Sequence, residues 1–368
     1  MYQPDNYFPI LRWKDAEKGA LEDLLPSAKE KITPLIEIVH ESLKIRKSKS
    51  DNVIDLFESD PTEKKKLSLQ KTINRISSSY WPHKIFIDLK YLRSYEILKF
   101  NVPNNVILTI GFGNPHEDLI KEAFQKSRNG ICFRLSKDDI QSIFFQNRFE
   151  RLVRSFGLPK NSIDLLVDLG VTPRSDSLLE LINKIPELDK WRTLIVSSGA
   201  FPVDLRGIPV GIKLLPRNDW MYWKSQTNAF PYGIRRPLYS DYTIIHPNYD
   251  PPKGGLPSCS IRYTAKVKDI WVVVRGEQVK AGGPGYEQYN GNAQLLSEHE
   301  EFCSPDYSEG DSYISSMGQQ ESPTGNAGTW LRAGINHHLT HVAHQLSNIY
   351  GTEAPQLLPV LRNPNSLL

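Results

Sequence analysis

The sequence predicts an α/β protein: a (β/α)8 TIM-barrel-like N-terminal region with a docked C-terminal α+β extension. The main observation is a series of eight short apolar runs within the first ~250 residues. Such runs are typical of parallel strands that are covered on both faces. The runs are Phe8–Trp13, Thr33–Val39, Lys84–Lys90, Val106–Gly111, Gly130–Ser136, Ser162–Gly170, Thr193–Gly199 and Asp241–Pro247.

Helical spacing of apolar residues fills most of the intervals between these runs. It is found over Ala16–Leu25, Asp118–Ser127, Lys137–Gly157 and Ser177–Ile185. This alternation of strand and helix fits a barrel in length and cadence. A doubly wound open sheet is the alternative. That fold carries a GxGxxG turn after its first strand, and here the segment is LRWKDAEKG.

The composition of the chain changes near residue 250, where a segment rich in Pro and Gly begins. We therefore predict a barrel over 1–250, a linker over 251–257 and an extension over 258–368. The extension holds two strand-like runs and a final helical pattern, whereas 304–328 is predicted to be a polar surface segment. Two strands are too few to be stable alone, so we expect the extension to pack on the barrel. The three segments are Ser260–Thr264, Ile270–Arg275 and Trp330–Ile349.

The composition of the chain argues against several classes of protein. The 368 residues include 45 Lys and Arg against 42 Asp and Glu, a net charge of +3, which argues against a polybasic phosphate-binding protein. Three isolated cysteines and the lack of a long apolar run or a signal-peptide pattern predict a soluble cytoplasmic protein without disulfides and without membrane contact. No cofactor motif is found, and we expect none.

Charged residues stand at or near the C-terminal ends of the predicted strands, where barrel enzymes and binding proteins place their sites. They are Arg12, Glu37, Asp88, Lys90, Arg134 and Asp168. We interpret Glu37, Asp88, Lys90 and Asp168 as catalytic candidates, together with His246 after the last run. Arg12 and Arg134 are ligand-binding candidates, because a guanidinium suits carboxylate or phosphate. The alternative is a structural network of paired charges.

Two further patterns receive weaker interpretations. His337, His341 and His344 share one helical face that could hold a divalent metal, but there is no HExxH motif, and packing of an amphipathic helix explains the pattern as well. We predict no metal site. The basic runs Lys44–Lys49 and Lys64–Lys66 lack interleaved aromatic residues, so nucleic-acid binding is possible from the charge but only weakly indicated.

Nine segments across nearly the whole chain resemble the family of beta proteins found in bacteria and on phages or other mobile elements. They are PLIEI (34–38), FIDL (86–89), LLVDLG (165–170), SSGAFP (197–202), PRNDW (216–220), SDYTIIHP (240–247), SIRYT (260–264), WVVVRG (271–276) and TWLRAGINHHLT (329–340). The resemblance implies a barrel-like N-terminal region and a role in phage–host conflict, and it transfers no catalytic residue. The residues that match its motifs become ligand-binding candidates: Arg262, Tyr263, Asn336, His337 and His338.

Two functions of different classes follow. The first is a non-catalytic recognition or effector component of anti-phage defence, with an anion-binding pocket at the barrel mouth and a phage-derived or host protein as partner. The alternative is a TIM-barrel hydrolase or lyase acting on a phosphorylated or nucleotide-like substrate. Catalysis requires an acid or base with a shifted pKa in a pocket that excludes water, whereas recognition requires a complementary surface.

Overall fold

Eight parallel strands form one sheet that nearly closes into a barrel, and this confirms the predicted TIM-barrel-like fold class. The computed structural model describes residues 2–43, 69–81, 83–93, 100–125, 127, 129–249, 257–279, 283–319 and 325–352. In sheet order the strands are β1 (Ile10–Arg12), β2 (Leu35–Val39), β3 (Ile85–Tyr91), β4 (Val106–Ile110), β5 (Ile131–Ser136), β6 (Ile163–Val171), β7 (Thr193–Gly199) and β9 (Leu238–Asp241).

The first and last strands meet through a hydrogen bond that the N–H of Phe8 donates to the carbonyl of Tyr239, 3.1 Å away. Alternate residues of each strand point into the barrel, where they form a compact apolar cluster. The residues between them pack outward against the helices in a second cluster. Burial on both faces explains why the strands are almost continuously apolar.

Helices follow most strands and cover the barrel. The helix Phe145–Phe156 shows why they form: Phe145, Phe149, Leu152 and Phe156 repeat at helical spacing and are buried, and Gly157 ends the helix at φ 62°. Residues 69–75 are also helical and lead into a π-helical turn at Ile76–Tyr80. The other helices are Asp15–Glu22, Pro26–Lys31, Glu117–Gln125, Lys137–Gln141, Leu178–Ile182, Asn218–Asn228, Gln288–Ser297, Glu309–Gly318 and Ala327–Tyr350.

A second sheet of three antiparallel strands lies beside the barrel. Its order is β10 (Ser258–Thr264), β11 (Ile270–Gln278) and β8 (Gly211–Pro216), so a strand from between β7 and β9 joins the two C-terminal ones. The C-terminal helix Ala327–Tyr350 spans both layers. Its Trp330 and Ala333 pack in the core of the second sheet, whereas Leu339 and Val342 belong to the barrel core.

Two predictions about elements are wrong, and one strand was not predicted. The eighth barrel strand is Leu238–Asp241 rather than 241–247, because the chain turns at Thr243, whose φ is 56°. Strand β8 was not predicted, and 304–328 is not only a surface segment. It contains the helix Glu309–Gly318, which buries Tyr313, Ile314 and Met317. Residues 251–256 of the predicted linker, and the basic runs at 44–49 and 64–66, lie outside the described residues. Among the described helices, none is long and apolar enough to cross a membrane.

Candidate functional site at the barrel mouth

The predicted strand-end charges form one layer at the C-terminal mouth of the barrel. Arg12, Glu37 and Asp88 occupy paired positions on β1, β2 and β3. Each follows an apolar residue of the barrel interior by two positions, and so do Arg134 on β5 and Asp168 on β6. Because side chains alternate along a strand, all five point into the barrel above its apolar interior.

Arg134 is the centre of this layer. Its Nη1 donates to Glu37 Oε1 at 2.8 Å and to Asp88 Oδ2 at 2.7 Å. Its Nε and Nη2 donate to Asp168 Oδ2 at 2.9 and 2.7 Å, and Nη2 also donates to the hydroxyl of Tyr242 at 2.8 Å. These contacts use all five N–H donors of a guanidinium. Arg134 therefore has no free N–H group for the ligand-binding role that the sequence predicts for it.

Two more cations complete the layer. The Lys90 ammonium lies 2.8 Å from Glu37 Oε1, and Arg12 Nε lies 3.6 Å from Glu37 Oε2. Arg12 Nη2 also donates to the carbonyls of His246 and Pro247, at 3.0 and 2.6 Å. Three acids and three bases thus neutralise one another, and Glu37 is fully buried among them. We name these six residues with Tyr242 the mouth network.

The mouth network also fixes the protonation of its carboxylates. Burial alone would raise the pKa of Glu37, but Arg134 and Lys90 outweigh it and hold this pKa below its ordinary value. The same balance of burial against Arg134 and Lys90 lowers the pKa of Asp168. Burial and Arg134 lower the pKa of Lys90. Glu37 and Asp88 raise this pKa by a larger amount, so the net result lies above the ordinary value. Carboxylates with a lowered pKa are weak general bases at neutral pH.

The lowered pKa values of Glu37 and Asp168 predict that the folded protein becomes less stable at acidic pH. A carboxylate whose pKa is lower in the folded state contributes stability above its unfolded pKa, which is 4.5 for Glu and 3.8 for Asp. That contribution is lost as the pH falls through the folded pKa. We expect the urea midpoint of unfolding to decrease steadily below about pH 4.5. In Asp168→Asn the decrease should be shallower. A midpoint that does not change between about pH 5 and pH 3 would contradict this account.

A cavity of about 300 Å³ opens on one side of the mouth network. It is lined by Asp88, Lys90, Gly111, Phe112, Gly113, Asn114, Pro115, Arg134, Ser136, Asp139 and Asp168. The Lys90 side chain is 32% exposed, and its ammonium contacts one carboxylate in the described part of the chain. Asn114 also lines the cavity, and its Oδ1 accepts the N–H of His116. The half-exposed Lys90 ammonium is therefore a cation that a ligand in this cavity can reach.

The predicted His246 touches the mouth network through its backbone. Its carbonyl accepts from Arg12, whereas its ring Nδ1 accepts the N–H of Asn248 at 3.1 Å. Burial lowers the pKa of His246, which favours the neutral ring. The described contacts do not place the ring beside the carboxylates of the network, and its catalytic role stays a prediction.

Two of the family-motif residues lie in a buried hydrogen-bonded cluster away from the mouth. Tyr263 OH donates to Asp311 Oδ1 at 2.6 Å, and His337 Nδ1 lies 2.8 Å from Asp311 Oδ2. His337 Nε2 lies 2.8 Å from the carbonyl of Thr264. Both ring nitrogens of His337 thus lie within hydrogen-bonding distance of an oxygen. The cluster joins β10 to two helices and is closed to solvent.

Asn336 and His338 have similar surroundings. Asn336 accepts the N–H of Gly310 at 2.9 Å and donates to the carbonyl of Ala20 at 3.1 Å. His338 Nε2 lies 3.0 Å from Asp241 Oδ2, at the end of the last barrel strand. Both side chains are buried, so they attach the C-terminal helix to the barrel and are closed to a ligand from solvent.

One group of side chains in the described ranges has the composition of a metal site. Ligand atoms of Cys303, His337 and His341 lie within 4.8 Å of one another. Both nitrogens of His337 are already hydrogen-bonded, and His341 Nδ1 is bonded to Tyr307 OH at 3.1 Å. The arrangement leaves too few free ligand atoms for the closed four-coordinate site that zinc favours. The expectation of no metal stays a prediction.

The sequence reasoning did not identify three residues of these networks. Tyr242 binds Arg134 and donates to Asp168, and its position directly after the last strand was the available signal. Asp241 was placed at the start of a strand, yet it accepts bonds from Tyr7, Tyr239 and His338. Asp311 fell within the segment that was predicted to be a polar surface loop.

The comparison with known families agrees with the resemblance of the motifs. The sequence matches the profile of the family described as Beta protein over residues 7–344. The chain belongs to the Beta protein family. The match covers both the barrel and the second sheet, together with the C-terminal helix as far as residue 344. No curated protein and no solved structure matches the chain.

Proposed function

We propose that this member of the Beta protein family is a recognition protein that binds a small anionic ligand at the barrel mouth. The observation that carries the proposal is the position of Lys90. Its ammonium stands at the edge of the cavity and contacts one carboxylate among the described residues, beside a guanidinium whose donors are all used. An anionic group on Lys90 would receive charge-assisted hydrogen bonds.

The state of the carboxylates favours recognition over the hydrolase or lyase alternative. A general base works best with a pKa near the operating pH. Arg134 and Lys90 instead lower the pKa of Glu37 and Asp168. The mouth network therefore provides carboxylates that stay charged at neutral pH rather than a general base. In this proposal Arg134 holds the carboxylates in place and Lys90 contacts the ligand.

The biological setting of the proposal comes from family membership alone. We propose that the protein acts in the cytoplasm during phage–host conflict, and that ligand binding at the mouth controls contact with a phage-derived or host protein. The support for this setting is the resemblance of the motifs to beta proteins found in bacteria and on phages.

Lys90→Met tests the proposal, because it removes the ammonium and keeps much of the aliphatic stem. Arg134 and Arg12 still neutralise Glu37, so we expect a stability loss of only about 1 kcal/mol. Lys121→Met is the matched control, since Lys121 also pairs with one carboxylate and its side chain is 26% exposed. Purified full-length chains are compared by thermal shift against carboxylated metabolites. Compounds that stabilise the wild type should stabilise Lys121→Met equally and Lys90→Met much less.

Phage plating on cells that produce each variant tests the biological part. Wild type and Lys121→Met should reduce plating of a susceptible phage, and Lys90→Met should not. Metabolites that stabilise Lys90→Met as well as the wild type would contradict the mouth as the binding site. Conversion of a stabilising compound into a product by the wild type, followed by nuclear magnetic resonance, would favour the enzyme alternative.

A further inference from the structure

A second cavity, of about 670 Å³, lies between the second sheet and the loop after β7. It has no lining residue in common with the cavity at the mouth network. Its charged and polar lining includes Asp204, Arg206, Ser258, Ser260, Arg262 and Arg275.

The register of the second sheet directs two arginines into this cavity. Arg262 on β10 is paired with Val273 on β11, and Arg275 is two residues further along β11. The two arginines are therefore diagonal neighbours on one face of the sheet, about 7–8 Å apart at the backbone. Long side chains at this separation can reach a common group. The opposite face, with Ile261 and Val274, packs in the apolar core of the extension.

Neither arginine contacts a carboxylate in the part of the chain that the structure describes. Arg262 Nη1 donates to the carbonyl of Ile244 at 3.0 Å, and Arg275 Nη1 donates to the carbonyl of Ile208. The acid of the cavity is already used, because Asp204 is bonded to Arg206 at 2.7 Å.

Arg262 nevertheless remains positively charged. Burial lowers the pKa of Arg262 to about 10, so the group stays protonated at neutral pH. Arg275 Nε is buried and has no hydrogen-bond partner among the described atoms. Both side chains are half-buried at the cavity, and an anion there would supply the counter-charge that they lack among the described residues.

We infer that this cavity binds the phosphoryl group of a small phosphorylated molecule between Arg262 and Arg275. Two guanidinium groups supply a charge of +2, and a phosphate monoester carries about −1.5 to −2 at pH 7. A carboxylate would balance only one of the arginines. Ser258 and Ser260, whose hydroxyls are hydrogen-bonded to each other at 2.8 Å beside the cavity, leave one hydroxyl proton for a ligand. The inference concerns a site separate from the mouth and does not depend on the proposed function.

Calorimetric titration of the full-length chain with inorganic phosphate tests this site, with acetate as the monoanion for comparison. We expect phosphate to bind more tightly than acetate. Arg262→Gln should weaken phosphate binding by roughly ten- to a hundredfold, as expected for the loss of a charged hydrogen-bond donor. Arg206→Gln is the matched control, because Arg206 lines the same cavity but is exposed and paired with Asp204. It should leave phosphate binding within about twofold, since exposed ion pairs contribute little.

Two further variants keep the result interpretable. Arg262→Lys keeps the charge and loses the planar fork, so it should bind phosphate with intermediate affinity even if Arg262→Gln folds poorly. Lys121→Met should bind phosphate as the wild type does, because Lys121 lines neither cavity. The inference is overturned if the wild type does not bind millimolar phosphate. It is also overturned if folded Arg262→Gln or Arg262→Lys binds phosphate as tightly as the wild type.

Discussion

Replacing Arg134 by methionine should lower the free energy of unfolding by about 3–5 kcal/mol at neutral pH, the usual cost of breaking a buried ion pair. The substitution keeps much of the volume of the side chain but removes a cation that contacts three carboxylates. Glu37, Asp88 and Asp168 would then share the mouth with only Lys90 and Arg12 as counter-charges. At least one carboxylate must remain buried without a partner or take up a proton.

Urea unfolding followed by circular dichroism measures this loss. Arg154→Met is the matched control, because Arg154 is 78% exposed and pairs with Glu150 on the surface of a helix. It should change the free energy of unfolding by no more than about 0.5 kcal/mol. The loss in Arg134→Met should also shrink toward pH 4, since protonation relieves the unpaired carboxylates. A loss below about 1 kcal/mol at neutral pH would show that the mouth network contributes little to the fold.

A chain that ends at residue 256 should not fold cooperatively. It would lack β11, the strand with which β8 pairs in the second sheet. It would also lose the C-terminal helix, whose Leu339, Val342 and Leu346 belong to the barrel core. Deletion of buried aliphatic side chains costs about 2–5 kcal/mol each, so the sum exceeds the usual stability of a domain.

The truncated chain is compared with the full chain by thermal melting and limited proteolysis. We expect a broad or absent melting transition and rapid cleavage. His338→Leu in the full chain provides a milder comparison, because it removes the contact with Asp241 and keeps the helix. It should melt cooperatively at a lower temperature than the wild type. A soluble fragment that melts near the temperature of the full chain would contradict the docking of the extension.

Much of the barrel could be predicted because a strand that is buried on both faces is apolar along nearly its whole length, and such a run can be recognised in the sequence. Strands such as β5 and β7 are buried over nearly their whole length, and each appears as a short run of Ile, Val, Leu and Phe. Strand β8 could not be recognised in this way, since it is half exposed and packs at the edge of the second sheet. The eighth barrel strand was misplaced because the segment after Asp241 is equally apolar. Its residues Ile244 and Ile245 are buried in a turn.

The positions of the mouth charges could be predicted, whereas their pairing could not. Barrel topology brings every strand end to one face, so a charge that follows an inward-pointing residue by two positions must join the layer. Which acid meets which base depends on side-chain length and on the central position of Arg134, which sequence does not express. For the same reason the histidines of the motif TWLRAGINHHLT suggested a ligand site. The structure places His337 and His338 in buried hydrogen bonds with Asp311 and Asp241.

The most direct test of the account is a double-mutant cycle between Arg134→Met and Asp88→Asn, measured by urea unfolding at neutral pH. The central claim is that Arg134 stabilises the fold by neutralising the carboxylates that contact it. If so, Asp88→Asn should relieve part of the damage in the double variant, with a coupling energy of about 1–3 kcal/mol. Losses that add to within about 0.5 kcal/mol would show that the two side chains act independently, and would contradict the mouth network as a connected element of the fold.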